Sequence, residues 1–299
     1  MKSLTLLFLL SLIPVSTAHA QTKIAIVKSK NIAAYSEAVT GFTDALKSRN
    51  ANATYDEYLV TAANLIGTLK TTKPDIIYTL GTSATKTVSK AITTTPIVFA
   101  MVMDPRGAGI QGSHITGASL DIPAYLLIQS LKRTLPDARN VGVIYNAAEN
   151  NDFITTAIKA AQNLGLNLKP YAVKSSKEIP DMKDLDIDAL WMIPDTVVCK
   201  TANVEGIFLT SLKHKIPVMG ISSSYAKAGA IMAVSCDYKD IGAQAGEIAH
   251  MIINGTKPRS IAISNPRKTK LYLNLAVADR LKIKIPGNIV SEATEVYGK

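Results

Sequence analysis

Short apolar runs suited to buried strands alternate with stretches of helical spacing, and the alternation occurs twice along the chain. In the first half Lys23-Ile24-Ala25-Ile26-Val27 precedes a helical pattern from Tyr35 to Arg49 that places Ala38, Phe42, Ala45 and Leu46 on one side. The runs Asp75 to Leu80 and Pro96 to Val102 follow. Strands separated by helices require crossovers, and crossovers of this kind build parallel sheets of one hand. The second half repeats the plan at Asn140 to Asn146, a helix from about Asp152 to Leu164, Asp188 to Ile193, and Ile216 to Ile221. Aligned, "DIIYTLGTSAT" falls on "DALWMIPDTVV" and "TPIVFAMV" on "IPVMGIS". The expectation is an α/β protein of two similar lobes with parallel sheets.

The segments Leu120-Asp121-Ile122-Pro123, Asp237 to Ile241 and Asn265-Pro266-Arg267-Lys268 separate the periodic elements, so they are candidate crossings between lobes. Several crossings make a hinge that bends without unravelling either lobe. The implied division is 21–120 with 241–266 for the first lobe, and 121–240 with 267–299 for the second. After the last crossing come Leu271 to Leu275, a short helix to Leu281 and a polar tail. Removing 20 residues from 299 leaves 279, more than one core of about 100–200 residues.

Those first 20 residues, with Lys2, an apolar core from Leu4 to Ile13 and Ala18-His19-Ala20, read as a cleaved secretion signal. No cysteine lies near the cut, so a lipid-anchored terminus is not expected; the mature chain is placed in the periplasm, with no membrane insertion. The formal charge of +10 becomes +9 without Lys2, but the lysines are scattered rather than grouped. That describes a solvated basic surface, not a nucleic-acid face. Export permits a disulfide between Cys199 and Cys236, the only two cysteines, without establishing their proximity. His114, His214 and His250 are isolated from one another, so no metal site or cofactor is expected.

Two strand ends carry the binding chemistry. Thr82-Ser83-Ala84-Thr85 follows Gly81, where free N–H groups, hydroxyls and a helix dipole suit a carboxylate or phosphate. An ordinary Ser or Thr cap has the same residues. No Gly-Lys pair completes a Walker loop, and Gly107-Ala108-Gly109-Ile110-Gln111-Gly112 is followed by Ser113-His114-Ile115-Thr116-Gly117, turn and strand where a dinucleotide fingerprint needs a helix. Asp195, at an expected helix start, and Asp237, after the strand Ala230 to Ser235, could accept hydrogen bonds from an ammonium. Each is equally a helix cap or turn residue. An anion site opposed by two acids favours a zwitterion. Ser222-Ser223-Ser224 lacks a nucleophile elbow, and no histidine is placed to serve as its base, so hydrolysis is unsupported. Tyr35, Tyr145 and Trp191 lie at strand ends or in strands; the tyrosines could stack on a ligand, and Trp191 reads as core.

The phrases "LGTSATKTVSK", "TPIVFAMVMDP", "ITGASLDIP", "VGVIYN", "ALWMIPDTVV", "HKIPVMGISSSYAKAGAIMAVSCDYKDIGAQAGEIA" and "LYLNLAVADRLKIKIP" resemble the ABC-transporter substrate-binding family of type I periplasmic-binding fold, which includes tryptophan- and tyrosine-binding members. The resemblance runs from about Lys23 to Tyr297. It implies two Rossmann-like lobes joined by a three-crossover hinge, closing on an amino acid, an aromatic one favoured, and presented as a monomer to a membrane permease. It also implies a ligand carboxylate at Thr82, Ser83, Ala84 and Thr85 and an ammonium at Asp195 and Asp237. The full expected ligand set adds Thr196, Tyr35, Asp104, Tyr145 and Ser223. The same fold could instead serve a sensor feeding a chemoreceptor or membrane kinase. Cys236, where many relatives have a small or apolar residue, departs from the family pattern.

Overall fold

A computed structural model describes residues 21–298; the expected secretion signal lies outside the described residues. In chain order the elements are β1 (Thr22–Lys28), α1 (Ala33–Lys47), β2 (Ala53–Leu59), α2 (Leu65–Thr72), β3 (Ile76–Leu80), α3 (Thr82–Ala91), β4 (Ile97–Val102) and β5 (Ile115–Ser119), then α4 (Ala124–Thr134), β6 (Asn140–Asn146), α5 (Ala147–Asn163), β7 (Asn167–Val173) and β8 (Ala189–Trp191). They continue with α6 (Thr201–His214), β9 (Val218–Gly220), α7 (Ser223–Ala228), β10 (Met232–Cys236), α8 (Tyr238–Ile253), β11 (Thr269–Asn274), α9 (Leu275–Leu281), α10 (Gly287–Glu292) and β12 (Glu295–Tyr297). No helix among them is long and apolar enough to cross a membrane.

The first sheet has the order β2-β1-β3-β4-β5 and is parallel throughout. Its strands are continuous apolar runs because both faces are covered. Along β1, Ile24 and Ile26 point into one core with Phe42 and Tyr78, while Ala25 and Val27 point into another with Leu69 and Phe99. That is the period-two split of a strand buried on both sides. The second sheet has the order β12-β11-β10-β9-β8-β6-β7.

The second sheet departs from the all-parallel expectation at one seam, where β10 and β11 are antiparallel. The cause is the path between them. β10 leaves the sheet at Cys236, the chain spends α8 in the other lobe, and it re-enters opposite Cys236 at Thr269. A strand that re-enters at the end where its neighbour left must run the other way. The polar tail also proves structured: Ile289 of α10 is buried in the second lobe's core and β12 pairs with β11.

The chain passes between the two lobes three times, from β5 to α4, from β10 to α8 and from α8 to β11. The helix α8 packs against α1, β4 and β5, placing Ile241, Ala245, Ile248 and Ala249 in the first lobe's core. Its contact with α1 is backbone to backbone at Gly41 and Gly242. A Cβ at Gly41 would lie 1.9 Å from the Lys239 carbonyl oxygen, and one at Gly242 1.9 Å from that of Ala38.

Ion pairs lash the third crossing to α8. Arg267 binds Asp240 at 3.0 Å and Glu247 at 2.8 Å, and Lys268 lies 3.4 Å from Asp240. Asp240 is buried, so these cations offset a carboxylate withdrawn from water. The hydrogen bonds from Arg267 hold the Glu247 carboxyl below its ordinary range. A lowered carboxyl pKa stabilises the fold above the unfolded value, and that contribution is lost as pH falls through the folded one. Arg267→Ala is therefore expected to lower the melting temperature at neutral pH, with the gap to wild type narrowing in acid. A gap that is constant between pH 7 and pH 3 in a thermal melt series would contradict this.

Candidate functional site

The carboxyl ends of the parallel strands in both lobes face one interlobe cleft of about 890 Å³. In open α/β sheets this edge is where ligands sit. The first lobe contributes Thr82 after β3, Met103 and Asp104 after β4, and Leu120, Asp121 and Ile122 after β5. The second contributes the first turns of α5 and the segment from Trp191 to Thr196. Ser235, Cys236 and Tyr238 line it at the second crossing.

At the first lobe's edge Gly81 adopts φ 85°, which turns the chain from β3 directly into α3. A side chain there would meet Tyr35, whose Oη lies 2.1 Å from the position of a Cβ. Ser29 Oγ accepts from the Ala84 N–H at 2.8 Å. Thr85 is buried, its hydroxyl 2.9 Å from both the Gly81 carbonyl and Thr79 Oγ1. Among the described residues, the N–H groups of Thr82 and Ser83 have no protein acceptor. They are the donors this helix start can offer an anion.

Across the cleft, Asp195 is only 7% exposed and its carboxylate is held by four donors. It accepts from the backbone N–H groups of Asn146 at 2.6 Å, Val197 at 2.9 Å and Val198 at 2.9 Å, and from Asn150 Nδ2 at 2.9 Å. The helix expected to begin here begins instead at Thr201; Asp195 caps a single turn closed by the Cys199 N–H on its carbonyl at 3.0 Å. Beside it Glu149 accepts from the Thr196 N–H at 3.0 Å, from Asn146 Nδ2 at 2.9 Å and from the Thr196 hydroxyl.

The cleft floor is apolar and soft. Trp191, 1% exposed within β8, lines the cleft and packs on Phe153 with ring centroids 5.7 Å apart. Met103, Met192 and Met219 line the same space, and thioethers make favourable contacts with aromatic rings. Cys199 and Cys236 also line it, both as free thiols. Burial pushes both thiols up, that of Cys236 to about 12 with the Asp121 charge adding to the effect, so they stay neutral.

Of the residues anticipated from the sequence, Thr82, Asp104, Asp195 and Thr196 line the cleft. Ser83 is the exposed neighbour of Thr82, and Ala84 and Thr85 are buried behind it. Tyr35 covers Gly81 and is half-buried, which raises its phenol pKa. Asp237 caps α8 through the Asp240 N–H at 3.2 Å and lies 3.7 Å from Lys270, between two lining residues but not itself on the wall. Tyr145 sits in the second lobe's core, and Ser223 opens α7 near Tyr297. Sequence reasoning passed over Asp121, Glu149, Asn150 and Asp152. The signal for the last three was their place in the first two turns of a helix following the strand "VGVIYN", at the sheet edge that matches Thr82 in the other lobe.

The model of the ABC transporter substrate binding protein family matches residues 23–297. A tyrosine-binding protein of Clostridioides difficile is 24% identical over 223 residues, 68% of this chain; the match spans 61% of that relative's length. The ligand-free, open structure of a substrate binding protein with adhesive properties from Clostridium difficile superimposes with a TM-score of 0.72 at 22% identity, over 93% of this chain and all of the other. An ABC domain from Streptococcus pneumonia in complex with L-Trp gives a TM-score of 0.64 at 21% identity, again over 93% of this chain and all of the other. These likenesses establish the type I periplasmic-binding fold. With a family match over nearly the whole described chain and a cleft at the carboxyl edge of its strands, the protein belongs to the ABC transporter substrate binding protein family.

Proposed function

We propose that the protein works in the periplasm, captures an amino-acid-like zwitterion with an aromatic or apolar body, and delivers it to the membrane permease of an ABC importer. The observation that carries this reading is that the free N–H groups at the start of α3, those of Thr82 and Ser83, stand at one cleft with the carboxylates of Asp195 and Glu149 from the other lobe. The ligand carboxylate docks on the start of α3, the ammonium on the Asp195 side, and the body lies on Trp191 and Phe153. Asp237 is the second ammonium acceptor, reaching the ligand when closure draws it off Lys270. A ligand that touches both lobes binds the closed form better and shifts the population toward it. Relatives of known ligand support the subtype, since one is named for tyrosine and another was solved with L-Trp.

The test is a thermal-shift screen of refolded protein, starting at Gln21, against amino acids, sugars, purines and polyamines. A true ligand at about 100 times its Kd stabilises by roughly 2.7 kcal/mol. Trp191 is the only tryptophan and lines the cleft, so its emission is expected to change with the same ligands. A shift with sugars or purines and none with amino acids would overturn the reading.

A further inference from the structure

Among the described residues, Lys270 is the one side chain of the second sheet that forms an ion pair with the first lobe. It is the second residue of β11 and stands opposite Ser235 of β10. Its Nζ lies 3.5 Å from Glu37 Oε2 on α1 and 3.7 Å from Asp237 Oδ1. Both carboxylates are fixed to first-lobe helices, since α1 and α8 pack in that lobe's core and Asp237 caps α8. The other ion pairs stay inside one lobe, as Lys28–Glu57, Arg133–Glu292 and Lys239–Asp44 do, or clasp the third crossing to α8.

The cleft itself is untied. Among the described residues, no hydrogen bond or ion pair joins Thr82 or Asp104 on one wall to Glu149, Asn150 or Asp195 on the other. Its volume of about 890 Å³ lies near the upper end of the range for small-molecule sites, roughly 300–1,000 Å³. For a guest the size of one amino acid, this conformation is an open one. The sheet order then dictates what closure does to Lys270. The strands β9, β8 and β6, whose carboxyl ends border the cleft, lie on one side of β10, and β11 lies on the other. The chain leaves for the first lobe at the end of β10, which makes that end a pivot. A turn that brings β9, β8 and β6 down onto the first lobe lifts β11 away from α1, and the contacts of Lys270 lengthen as the cleft shuts.

We propose that Lys270 is an interlobe latch that holds the empty protein open through Glu37 and Asp237. A ligand must loosen this tie to close the cleft, so the latch sets affinity without touching the ligand: the scarcer the closed form, the weaker the apparent binding. The inference rests on the hinge-closure reading above and does not depend on which ligand drives the closure.

The experiment measures, by pulsed electron resonance, the distance between spin labels on Arg106→Cys and Thr155→Cys in refolded, ligand-free protein starting at Gln21. Both positions are exposed, one on each lobe, and neither lines the cleft. Burial pushes the two native thiols up, so they label slowly beside the introduced ones. Loss of a partly exposed ion pair changes an equilibrium by up to about fivefold. Lys270→Met and Glu37→Gln are each expected to raise the ratio of short to long distances by up to that factor, and the double variant no further than Lys270→Met alone. Lys270→Glu sets a third carboxylate against Glu37 and Asp237 and is expected to raise the ratio most, while Lys270→Arg keeps the wild-type value. An unchanged ratio in Lys270→Glu overturns the latch, as does a shift towards longer distances or an equal shift in Lys270→Arg. Adding L-tryptophan to the same labelled samples tests the parent reading separately. Distances that never shorten with it count against the amino-acid reading, and the ligand-free ratios still decide the latch.

Discussion

Asp195→Ala is expected to abolish ligand binding and to destabilise the second lobe at the same time. The carboxylate holds four donors and is almost fully buried, so its removal strands the N–H groups of Asn146, Val197 and Val198 and the Asn150 amide. Each orphaned buried donor costs about 1–3 kcal/mol. Partial relaxation and water entry bring the expected total to roughly 3–5 kcal/mol. Loss of the ammonium's partner adds an affinity loss of about 100-fold or more, in keeping with truncation of a buried charged pair. Asp195→Asn separates the two effects. It keeps an oxygen for Val197 and Val198, but it removes the negative charge and can set an amide nitrogen against the Asn146 N–H. Much of the stability is expected to return in thermal melts while calorimetry still shows no saturable heat. Ligand binding by Asp195→Ala at wild-type affinity would remove Asp195 from the site.

Gly242→Val is expected to be the most damaging change away from the cleft. Its Cβ would fall 1.9 Å from the Ala38 carbonyl oxygen and 2.6 Å from its carbon, both backbone atoms of α1 that cannot rotate aside. The helices must separate, and Phe42, Leu46, Ile241 and Ala245 lose packing on both sides of the seam. Overpacking of a close-packed core typically costs about 1–3 kcal/mol, and a backbone clash lies at or beyond the upper end. Gly206→Ala is the matched control, since a Cβ there meets nothing within 4 Å on an ordinary helix; it is expected to stabilise by about 0.5–1 kcal/mol. Urea midpoints of the two variants should move in opposite directions. A Gly242→Val midpoint equal to wild type would show that α1 and α8 are not locked at this contact.

The strands β1, β3, β4 and β6 were legible because burial on both faces makes them unbroken apolar runs. The outer strands were not. β2, "ATYDEYL", and β7, "NLKPYAV", carry charged and polar residues on faces that look to solvent, and such strands resemble loops until a neighbour is known. The reversal at β11 was invisible because direction depends on where a chain re-enters a sheet, a fact of topology rather than of local spacing. The cleft followed a similar rule. Thr82 and Asp195 could be located because each follows a buried strand at its carboxyl end. Glu149 escaped notice because an acid in a first helical turn is ordinary, favoured by the helix dipole whether or not a ligand is near. Asp121 lay in a segment read only as a connection.

The placement of α8 sets the timetable on which this molecule can be built. The first 120 residues supply five strands but leave Ile26, Phe42 and Tyr78 without the helix that seals them, and that helix is encoded some 120 residues later, after most of the other half. The later half waits in turn for β11 and β12, which follow α8 in the chain. A ribosome working from the amino end therefore releases neither lobe finished before α8, β11 and β12 have emerged, and assembly relies on partners far apart in sequence, which slows it.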